Sequence, residues 1–442
     1  MYKIGMISLG CPKNQVDAER MLAQLDKNGY EIADCYEGVD AVIVNTCGFI
    51  DAAKQEAIEN ILEMAQLKEE GIVKKIIVTG CLAQRYKDEI LKEIPEVDAI
   101  VGIGANGDIV DIIKKTVEGE TVYEMPENTK LPLVGERLLT TPEHWAYLKI
   151  ADGCSNRCTY CAIPSIRGDF RSVEFETLVE EAKALAAAGT KELILIAQDT
   201  TNYGMDLYGR IRLPELLDAL CEIDGIEWIR MLYCYPDKIT DELIETMTRQ
   251  PKVLHYIDLP LQHADDGMLK AMNRRGDSAY LREVITKIRA AMPDAVIRTT
   301  FIVGFPGEGE KEFENLAEFV NEIEFDRLGC FSFSPQEGTP AFDFENQVEE
   351  DVKLRRGEII MQDQLEIVTV KNQERIGKTY KVIVEDYDGY SDSYSGRTYM
   401  DAPEIDGQIS FTTDKHYEVG EFAEVTVIGV NDYDLIGKDI NS

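Results

Sequence analysis

Apolar runs alternate with longer stretches of mixed polarity along the first three-quarters of the chain. Residues 40–44 and 192–197 are rich in Val, Ile and Leu without polar alternation, which is typical of strands that are covered on both faces. In the N-terminal part the predicted strands are residues 2–8, 41–45 and 75–79, and the helices that follow them are residues 17–28, 51–69 and 83–93. This order of elements predicts a parallel α/β domain.

A second alternating pattern extends from about residue 145 to residue 333. Its predicted strands are residues 146–151, 192–197, 228–233, 256–259, 295–303 and 327–333, and its predicted helices include residues 176–188, 213–222, 241–249 and 278–292. Six strands with intervening helices indicate a partial (β/α)6 barrel rather than an eightfold one. Barrels of this kind carry their chemistry at the carboxyl ends of the strands.

The last part of the chain has a different pattern. A polar helix is predicted over residues 349–375, and short β-rich pieces follow at residues 380–384, 408–411 and 422–430, with Gly and Asp turns between them. These pieces indicate a small C-terminal β-barrel of about five strands. Prolines scattered between residues 118 and 143 mark a linker. We therefore predict three domains, at residues 1–120, 140–371 and 374–442.

Composition and charge narrow the class of protein. The chain of 442 residues has 46 basic and 82 acidic residues, a balance that opposes binding to a polyanion unless a basic patch is locally segregated. An acidic surface that serves solubility alone is the alternative. No apolar run approaches the roughly 20 residues of a membrane helix, and the N-terminus lacks a signal-peptide pattern. We therefore expect a cytoplasmic protein with no membrane partner. Its ten cysteines are too sparse for a disulfide scaffold, so that clustered thiols indicate metal binding or catalysis.

Three cysteines are spaced C-x3-C-x2-C directly after a predicted strand. Cys154, Cys158 and Cys161 lie on one short loop, where three thiolates can bind three irons of a 4Fe–4S cluster and leave the fourth iron open. A zinc site is the alternative, but zinc usually takes four ligands. No fourth Cys or His is nearby, since His144 lies ten residues upstream at the far end of the strand. The motif therefore predicts an iron–sulfur cluster with one free coordination site.

A second set of cysteines follows the three N-terminal strands. Cys11, Cys47 and Cys81 recur at the same point of the strand, loop and helix unit. Single buried cysteines are usually small core residues, but the carboxyl ends of parallel strands meet at one edge of a sheet. The recurrence therefore predicts a second three-cysteine cluster. The remaining cysteines show no such pattern and are interpreted as structural: Cys35, Cys221, Cys234 and Cys330.

The C-x3-C-x2-C spacing, with aromatic Tyr160 before the last cysteine, resembles the radical S-adenosylmethionine superfamily. The resemblance implies that the open iron binds S-adenosylmethionine, which is reduced and cleaved to methionine and a 5′-deoxyadenosyl radical. It also implies that residues at the ends of the second and fifth barrel strands contact this cofactor, although each could be only a turn. The candidate cofactor-binding residues are Tyr160, Gln198, Asp199, Arg298, Thr300 and Gly304.

Both cysteine triplets, the order of the domains and the terminal β-barrel resemble the methylthiotransferase family over essentially the whole chain. The resemblance implies an auxiliary 4Fe–4S cluster on the first domain, a radical barrel in the second, and a third domain, called TRAM, that grips the substrate. It further implies two 4Fe–4S clusters, S-adenosylmethionine and an external electron donor. We assign no acid or base, because an unactivated C–H bond does not lose its hydrogen as a proton.

Sequence also distinguishes the two main branches of this family. Residues 8–14, 258–263 and 329–338 are similar to the branch that modifies an aspartate of small-subunit ribosomal protein twelve. Residues 375–442 contain 6 basic and 14 acidic residues, whereas a TRAM barrel that grips RNA should be basic. We therefore expect a basic ribosomal protein substrate and no direct nucleic-acid substrate. The alternatives are an enzyme that modifies an adenosine of transfer RNA, and a non-catalytic iron–sulfur carrier.

Overall fold

The computed structural model describes residues 2–35 and 37–441. Its N-terminal part is a six-stranded parallel sheet in the order β2-β1-β3-β4-β5-β6. The strands are β1 (Lys3–Ser8), β2 (Glu31–Ile32), β3 (Ala41–Thr46), β4 (Ile76–Gly80), β5 (Ala99–Val101) and β6 (Val122–Glu124). The helices are α1 (Pro12–Lys27), α2 (Asp51–Glu69), α3 (Cys81–Glu93) and α4 (Ile109–Val117).

Strand β3 explains why this sheet has helices on both faces. All six of its residues are buried. Val42 and Val44 belong to the core with α2 and α3, whereas Ala41 and Ile43 belong to the core with α1 and α4. A strand that is apolar on both faces is stable only when both faces are covered. The predicted parallel α/β domain is confirmed.

Some boundaries in this part differ from the predictions. Helix α1 was expected from residue 17 but begins at Pro12, which suits the first turn because proline lacks the N–H that is unpaired there. Helix α3 begins at Cys81, two residues earlier than expected. The sheet also includes β6, which ends at Glu124. Strands β5 and β6, with three residues each, are too short for a recognisable period.

The central part contains a second six-stranded parallel sheet, in the order β14-β13-β12-β11-β10-β7. The strands are β7 (Trp145–Lys149), β8 (Ala151–Asp152), β9 (Arg171–Ser172), β10 (Glu192–Ile196), β11 (Trp228–Met231), β12 (Val253–Asp258), β13 (Val296–Val303) and β14 (Arg327–Ser332). The helices are α5 (Ile163–Arg167), α6 (Phe175–Ala187), α7 (Met205–Tyr208), α8 (Leu213–Cys221), α9 (Asp241–Arg249), α10 (Asp266–Ala271), α11 (Ser278–Ala291), α12 (Glu310–Ile323) and α13 (Glu350–Gln373).

This arrangement confirms the partial (β/α)6 barrel, with one correction. The strand expected over residues 146–151 is divided, because β8 leaves the main sheet and pairs antiparallel with β9. The chain therefore bends between β7 and β8, just before the first cysteine of the C-x3-C-x2-C loop. Helix α13, expected over residues 349–375, packs on β14 and α12.

The C-terminal part is a closed barrel in the order β15-β16-β17-β19-β18. Its strands are β15 (Thr379–Asp388), β16 (Ser393–Arg397), β17 (Ile409–Thr412), β18 (Phe422–Asn431) and β19 (Asp434–Asp439). The expected five-stranded barrel is confirmed. It covers the face of the central sheet opposite the helices, where Tyr147 and Ile194 pack with Val382 and Phe411.

Ion pairs reinforce that contact. Glu192 of β10 lies between Arg230 of β11 and Arg397 of the C-terminal barrel, with N to O distances of 2.7 and 2.8 Å. All three side chains are almost completely buried.

Within residues 2–35 and 37–441, no helix is both long enough and apolar enough to cross a bilayer.

Candidate active site

The N-terminal triplet, Cys11, Cys47 and Cys81, lies at the carboxyl edge of the first sheet. Cys11 directly precedes α1, Cys47 follows β3, and Cys81 is the first residue of α3 rather than a loop residue as expected. All three are free thiols. Burial, and then the neighbouring thiols of Cys81 and Cys11, raise the pKa of Cys47 to about 12. Burial also raises the pKa of Cys81.

Two glycines allow these segments to approach one another. Gly10 has φ +93°, and a Cβ added there would lie 2.6 Å from Cβ and 2.9 Å from Sγ of Cys47. Gly80 also has φ +93°, and its Cβ would lie 2.3 Å from the Thr46 carbonyl oxygen. Residues with a side chain would therefore push apart the segments that carry the three thiols.

The central triplet, Cys154, Cys158 and Cys161, follows β8 on one loop. Asn156 Nδ2 donates to Cys154 Sγ over 3.6 Å, and Arg274 Nη1 donates to Cys158 Sγ over 3.8 Å. Burial raises the pKa of both Cys154 and Cys161. Thiols in such surroundings stay protonated until a metal displaces the proton, and donors aimed at sulfur then stabilise the bound thiolate.

A buried ionic network lies between the two triplets. Arg167 Nη1 donates to Asp17 Oδ2 over 2.8 Å and to Asp152 Oδ2 over 2.7 Å, while its Nη2 lies 3.8 Å from Cys81 Sγ. Lys149 Nζ donates to the same two carboxylates. Burial opposes ionisation of Asp152, but Arg167 and Lys149 hold its pKa well below the usual range. The network joins α1 of the N-terminal part to β7, β8 and α5 of the central part.

Gln198 and Asp199 lie just beyond the end of β10. Gln198 Nε2 donates to Asp152 Oδ1 over 3.0 Å, whereas its buried Oε1 has no hydrogen-bond partner in the described part of the chain. An unpaired buried acceptor suits a ligand that brings a donor. Asp199, in contrast, is already engaged, because Asn156 Nδ2 donates to Oδ2 over 2.7 Å and Lys238 forms an ion pair with it.

The other predicted cofactor residues are more widely spread. Tyr160 packs against the apolar cluster that includes Met272 and Phe305. The Thr300 carbonyl accepts a hydrogen bond from Gln262 N over 2.8 Å. Gly304 N donates to Glu308 Oε2 over 2.9 Å.

Arg298 lies five residues before the end of β13, beside Asp258 at the end of β12. Its Nη1 donates to Asp258 Oδ1 over 3.0 Å, and its Nε lies 3.5 Å from Asp406 Oδ1 of the C-terminal barrel. The assignment of these residues to cofactor binding stays a prediction.

Sequence reasoning did not single out Lys13, whose side chain is buried on α1. Its Nζ lies 3.1 Å from the centroid of the Tyr233 ring, which follows β11 of the central part. Burial lowers the pKa of Lys13 to about 8. Asp17, Lys149 and Arg167 were missed as well. A signal was available for Lys149, because a lysine inside an apolar strand is either paired or functional.

The donor sets fit iron–sulfur clusters. In residues 2–35 and 37–441, no three or more His, Cys, Asp or Glu side chains are arranged to hold a single metal ion. A 4Fe–4S cluster makes a different demand, since each of its thiolates binds a separate iron. Each triplet consists of free thiols that are largely buried and free of disulfides. Donors to sulfur are present at both triplets.

Three protein families match successive parts of the chain. Uncharacterized protein family UPF0004 matches residues 3–102, the Radical SAM superfamily matches residues 148–320, and the TRAM domain matches residues 376–440. The first match contains the N-terminal triplet and the second contains the central triplet.

Solved structures support the same fold. The radical S-adenosylmethionine methyltransferase TsrM from Kitasatospora setae superposes with a TM-score of 0.57 over 77% of each chain, at 12% identity. The cobalamin-dependent S-adenosylmethionine radical enzyme OxsB superposes with a TM-score of 0.54 over 82% of this chain and 56% of its own, at 14% identity. Together with the match to the Radical SAM superfamily over residues 148–320, the fold defines a radical S-adenosylmethionine enzyme, a class that uses a 4Fe–4S cluster and S-adenosylmethionine.

Close relatives give the family. The chain is 50% identical to the ribosomal protein uS12 methylthiotransferase RimO of Acetivibrio thermocellus, over 99% of this chain and 98% of that protein. It is 49% identical to the protein of the same name from Desulforamulus reducens, over 99% of both. Identity to the one from Clostridioides difficile is 48%, over 99% and 98%. The chain therefore belongs to this family of radical S-adenosylmethionine methylthiotransferases.

Proposed function

We propose that the protein replaces a hydrogen on the β-carbon of an aspartate in ribosomal protein uS12 with a methylthio group. One observation supports the proposal above all: a single buried network, formed by Asp17, Lys149, Asp152 and Arg167, contacts both triplet segments. Arg167 Nη2 lies 3.8 Å from Cys81 Sγ, and Asp152 accepts from Gly153 N, directly before Cys154. A reaction that both activates a C–H bond and inserts sulfur needs two centres that face the same substrate. The names of the relatives point to the same substrate.

We assign one 4Fe–4S cluster to each triplet, the central one for cleavage of S-adenosylmethionine and the N-terminal one as the auxiliary cluster. When bound, these groups supply the one-electron chemistry for the C–H bond and the sulfur for the new C–S bond. The side chains around the triplets orient these groups and shield them from solvent. Asn156 and Arg274 donate to sulfurs of the central triplet, and Arg167 donates towards the N-terminal triplet. Gln198 Oε1 provides an acceptor for the cofactor.

The partner follows from charge. The C-terminal barrel, with 6 basic and 14 acidic residues over 375–442, suits a basic protein of the small ribosomal subunit and opposes a nucleic acid. An external reductant supplies the electron, because cleavage of S-adenosylmethionine by a 4Fe–4S cluster consumes one electron in each turnover. We place the enzyme with its ribosomal substrate, in the cytoplasm. We also propose the domain division near residues 120–140 and 371–374.

Mass spectrometry of purified uS12 tests the function. The protein with both clusters reconstituted is incubated with uS12, S-adenosylmethionine and a chemical reductant, and the aspartate peptide is expected to gain one methylthio group in place of hydrogen. Transfer RNA is supplied in a parallel reaction. Methylthioadenosine in the RNA with unmodified uS12 would instead establish the transfer RNA enzyme, and loss of clusters to an acceptor without S-adenosylmethionine cleavage would establish a carrier.

A further inference from the structure

Lys13 is a buried cation without an anionic partner. Its residue is only 5% exposed, yet no hydrogen bond and no ion pair connects its ammonium with another group in residues 2–35 and 37–441. Its Nζ lies against the face of the Tyr233 ring, 3.1 Å from the ring centroid. A ring face attracts a cation but accepts none of its three N–H bonds in the way that a carboxylate does. The ammonium therefore retains donors for a further ligand.

The two carboxylates nearest to Lys13 in the described part of the chain, Asp258 and Asp152, are already occupied, and the third acidic neighbour is the thiol of Cys11. Asp258 Oδ1 accepts from Arg298 and Oδ2 accepts from Tyr233 N, at 3.0 and 2.8 Å. Asp152 Oδ2 accepts from both Arg167 and Lys149, as described above. Neither carboxylate lies within ion-pair distance of Lys13.

Three buried cations of the central part differ from Lys13. Lys149, Arg167 and Arg230 are at most 1% exposed, and each forms at least one ion pair with a carboxylate. Buried charges are normally paired because an unpaired one loses its hydration without compensation. At Lys13 the compensating anion is therefore expected from outside the chain.

The contact with Tyr233 places the Lys13 ammonium beside the central part of the molecule. Tyr233 has φ +61°, in the left-handed region that is unfavourable for a residue with a side chain. Two hydrogen bonds hold it there, from Tyr233 N to Asp258 and from Thr200 N to the Tyr233 carbonyl. Tyr233 and Asp258 both lie at the carboxyl ends of central strands, whereas Lys13 lies two residues after Cys11. The ammonium is thus located where the two parts of the molecule, and their two triplets, face each other.

We propose that Lys13 binds the side-chain carboxylate of the substrate aspartate and thereby makes the enzyme specific for an acidic side chain. This inference rests on the proposed function, because it requires an aspartate substrate. A carboxylate supplies the partner that the ammonium lacks, and its attachment to the β-carbon holds that carbon between the two triplets. The methionine moiety of S-adenosylmethionine also carries a carboxylate, so the experiment must separate the two sources.

Binding of two uS12 peptides, one with the aspartate and one with asparagine in its place, tests the proposal. Affinities are measured by calorimetry on the cluster-loaded protein without reductant. We expect the unsubstituted protein to prefer the aspartate peptide by roughly ten- to hundredfold, the usual value of a hydrogen bond to a charged group. In Lys13→Met this preference is expected to disappear, and Lys13→Arg is expected to restore part of it. Lys27→Met is the matched control, since Lys27 is exposed at the end of α1.

The remaining outcomes are distinguishable. Lys13→Met removes an unpaired buried charge, so we expect it to fold, and its iron content and absorption spectrum verify that both clusters are loaded. If the variant keeps the full aspartate preference, Lys13 does not bind the substrate carboxylate. If it weakens only S-adenosylmethionine binding, or alters only the auxiliary cluster spectrum, the partner is the cofactor or the cluster and the proposal is wrong. If the unsubstituted protein neither binds nor modifies uS12, the proposed function itself fails.

Discussion

The two cysteine triplets are assembled in different ways. The central triplet lies on one loop, so its spacing is set by eight consecutive residues from Cys154 to Cys161. The N-terminal triplet is assembled by strand register, which pairs Ser8 with Asn45 and Asn45 with Thr79. Cys11 lies three residues after Ser8, and Cys47 and Cys81 lie two residues after Asn45 and Thr79. The first arrangement depends on local sequence, whereas the second depends on the whole sheet, and this difference should be measurable.

Loss of the central triplet is expected to have the largest effect. Replacement of Cys154, Cys158 and Cys161 with Ala removes the ligands of the cluster that cleaves S-adenosylmethionine, so both 5′-deoxyadenosine and the methylthio product should be abolished. Liquid chromatography of the reaction measures both. Cys35→Ala is the control, because Cys35 is an exposed cysteine outside both triplets. Continued formation of 5′-deoxyadenosine would refute the assignment of this triplet.

Loss of the N-terminal triplet is expected to separate the two products. With Cys11, Cys47 and Cys81 replaced by Ala, 5′-deoxyadenosine should still form while methylthiolation stops, because only the auxiliary cluster is missing. The same chromatography, with mass spectrometry of uS12, measures the ratio of 5′-deoxyadenosine to methylthiolated uS12. If 5′-deoxyadenosine is lost to the same extent as the product, the two triplets do not have separate roles.

Removal of the guanidinium between the triplets should destabilise the fold. In Arg167→Met, Asp17 and Asp152 remain buried with only Lys149, and we expect the free energy of unfolding to fall by about 3 kcal/mol. Urea denaturation measures it. Arg249→Met is the control, since that arginine is more than half exposed and its ion pair with Asp218 should contribute less than about 1 kcal/mol. Equal effects of the two variants would contradict this account.

The same network predicts a pH dependence. The pKa of Asp152 is lower in the folded protein than the ordinary value of 3.8, so its stabilising contribution is complete above that value and is lost as the pH falls below it. Unfolding free energy should therefore fall between about pH 5 and pH 2, and less steeply in Asp152→Asn, where this group no longer titrates. Identical slopes in the two proteins would show that other carboxylates dominate.

The smallest effect is expected from a single methyl group. Gly10→Ala and Gly29→Ala both place a side chain at positive φ, at about 1 kcal/mol each, but only the Cβ at Gly10 meets another residue, Cys47, whereas nothing lies within 4 Å at Gly29. We expect both to lower stability slightly and only Gly10→Ala to lose iron from the N-terminal triplet. Iron analysis after reconstitution measures this loss. Equal iron in the two variants would show that the sheet tolerates the contact.

Sequence patterns predicted the local features of the molecule better than its long-range contacts. The C-x3-C-x2-C loop and the buried strand β3 are visible in consecutive residues, so both could be predicted. The network that joins Asp17 to Arg167 connects residues 150 positions apart, and periodicity contains no information on such contacts. For the same reason the sequence did not show that Lys13 lacks a partner. The N-terminal triplet, although formed by residues far apart in sequence, could be predicted because each cysteine occupies the same position in a repeated strand, loop and helix unit.

Helix α1 limits how far the N-terminal triplet can move relative to the central part of the enzyme. Cys11 directly precedes its first turn, and Lys13 and Asp17 follow on the same rigid element. The distance between the auxiliary sulfur ligand and the central part of the enzyme is thus set by a packed helix, whose length changes little with thermal motion. The substrate carbon must react with a radical on one side and with sulfur on the other, and a constant distance between the two centres favours both steps. A flexible loop in place of α1 would make that distance fluctuate.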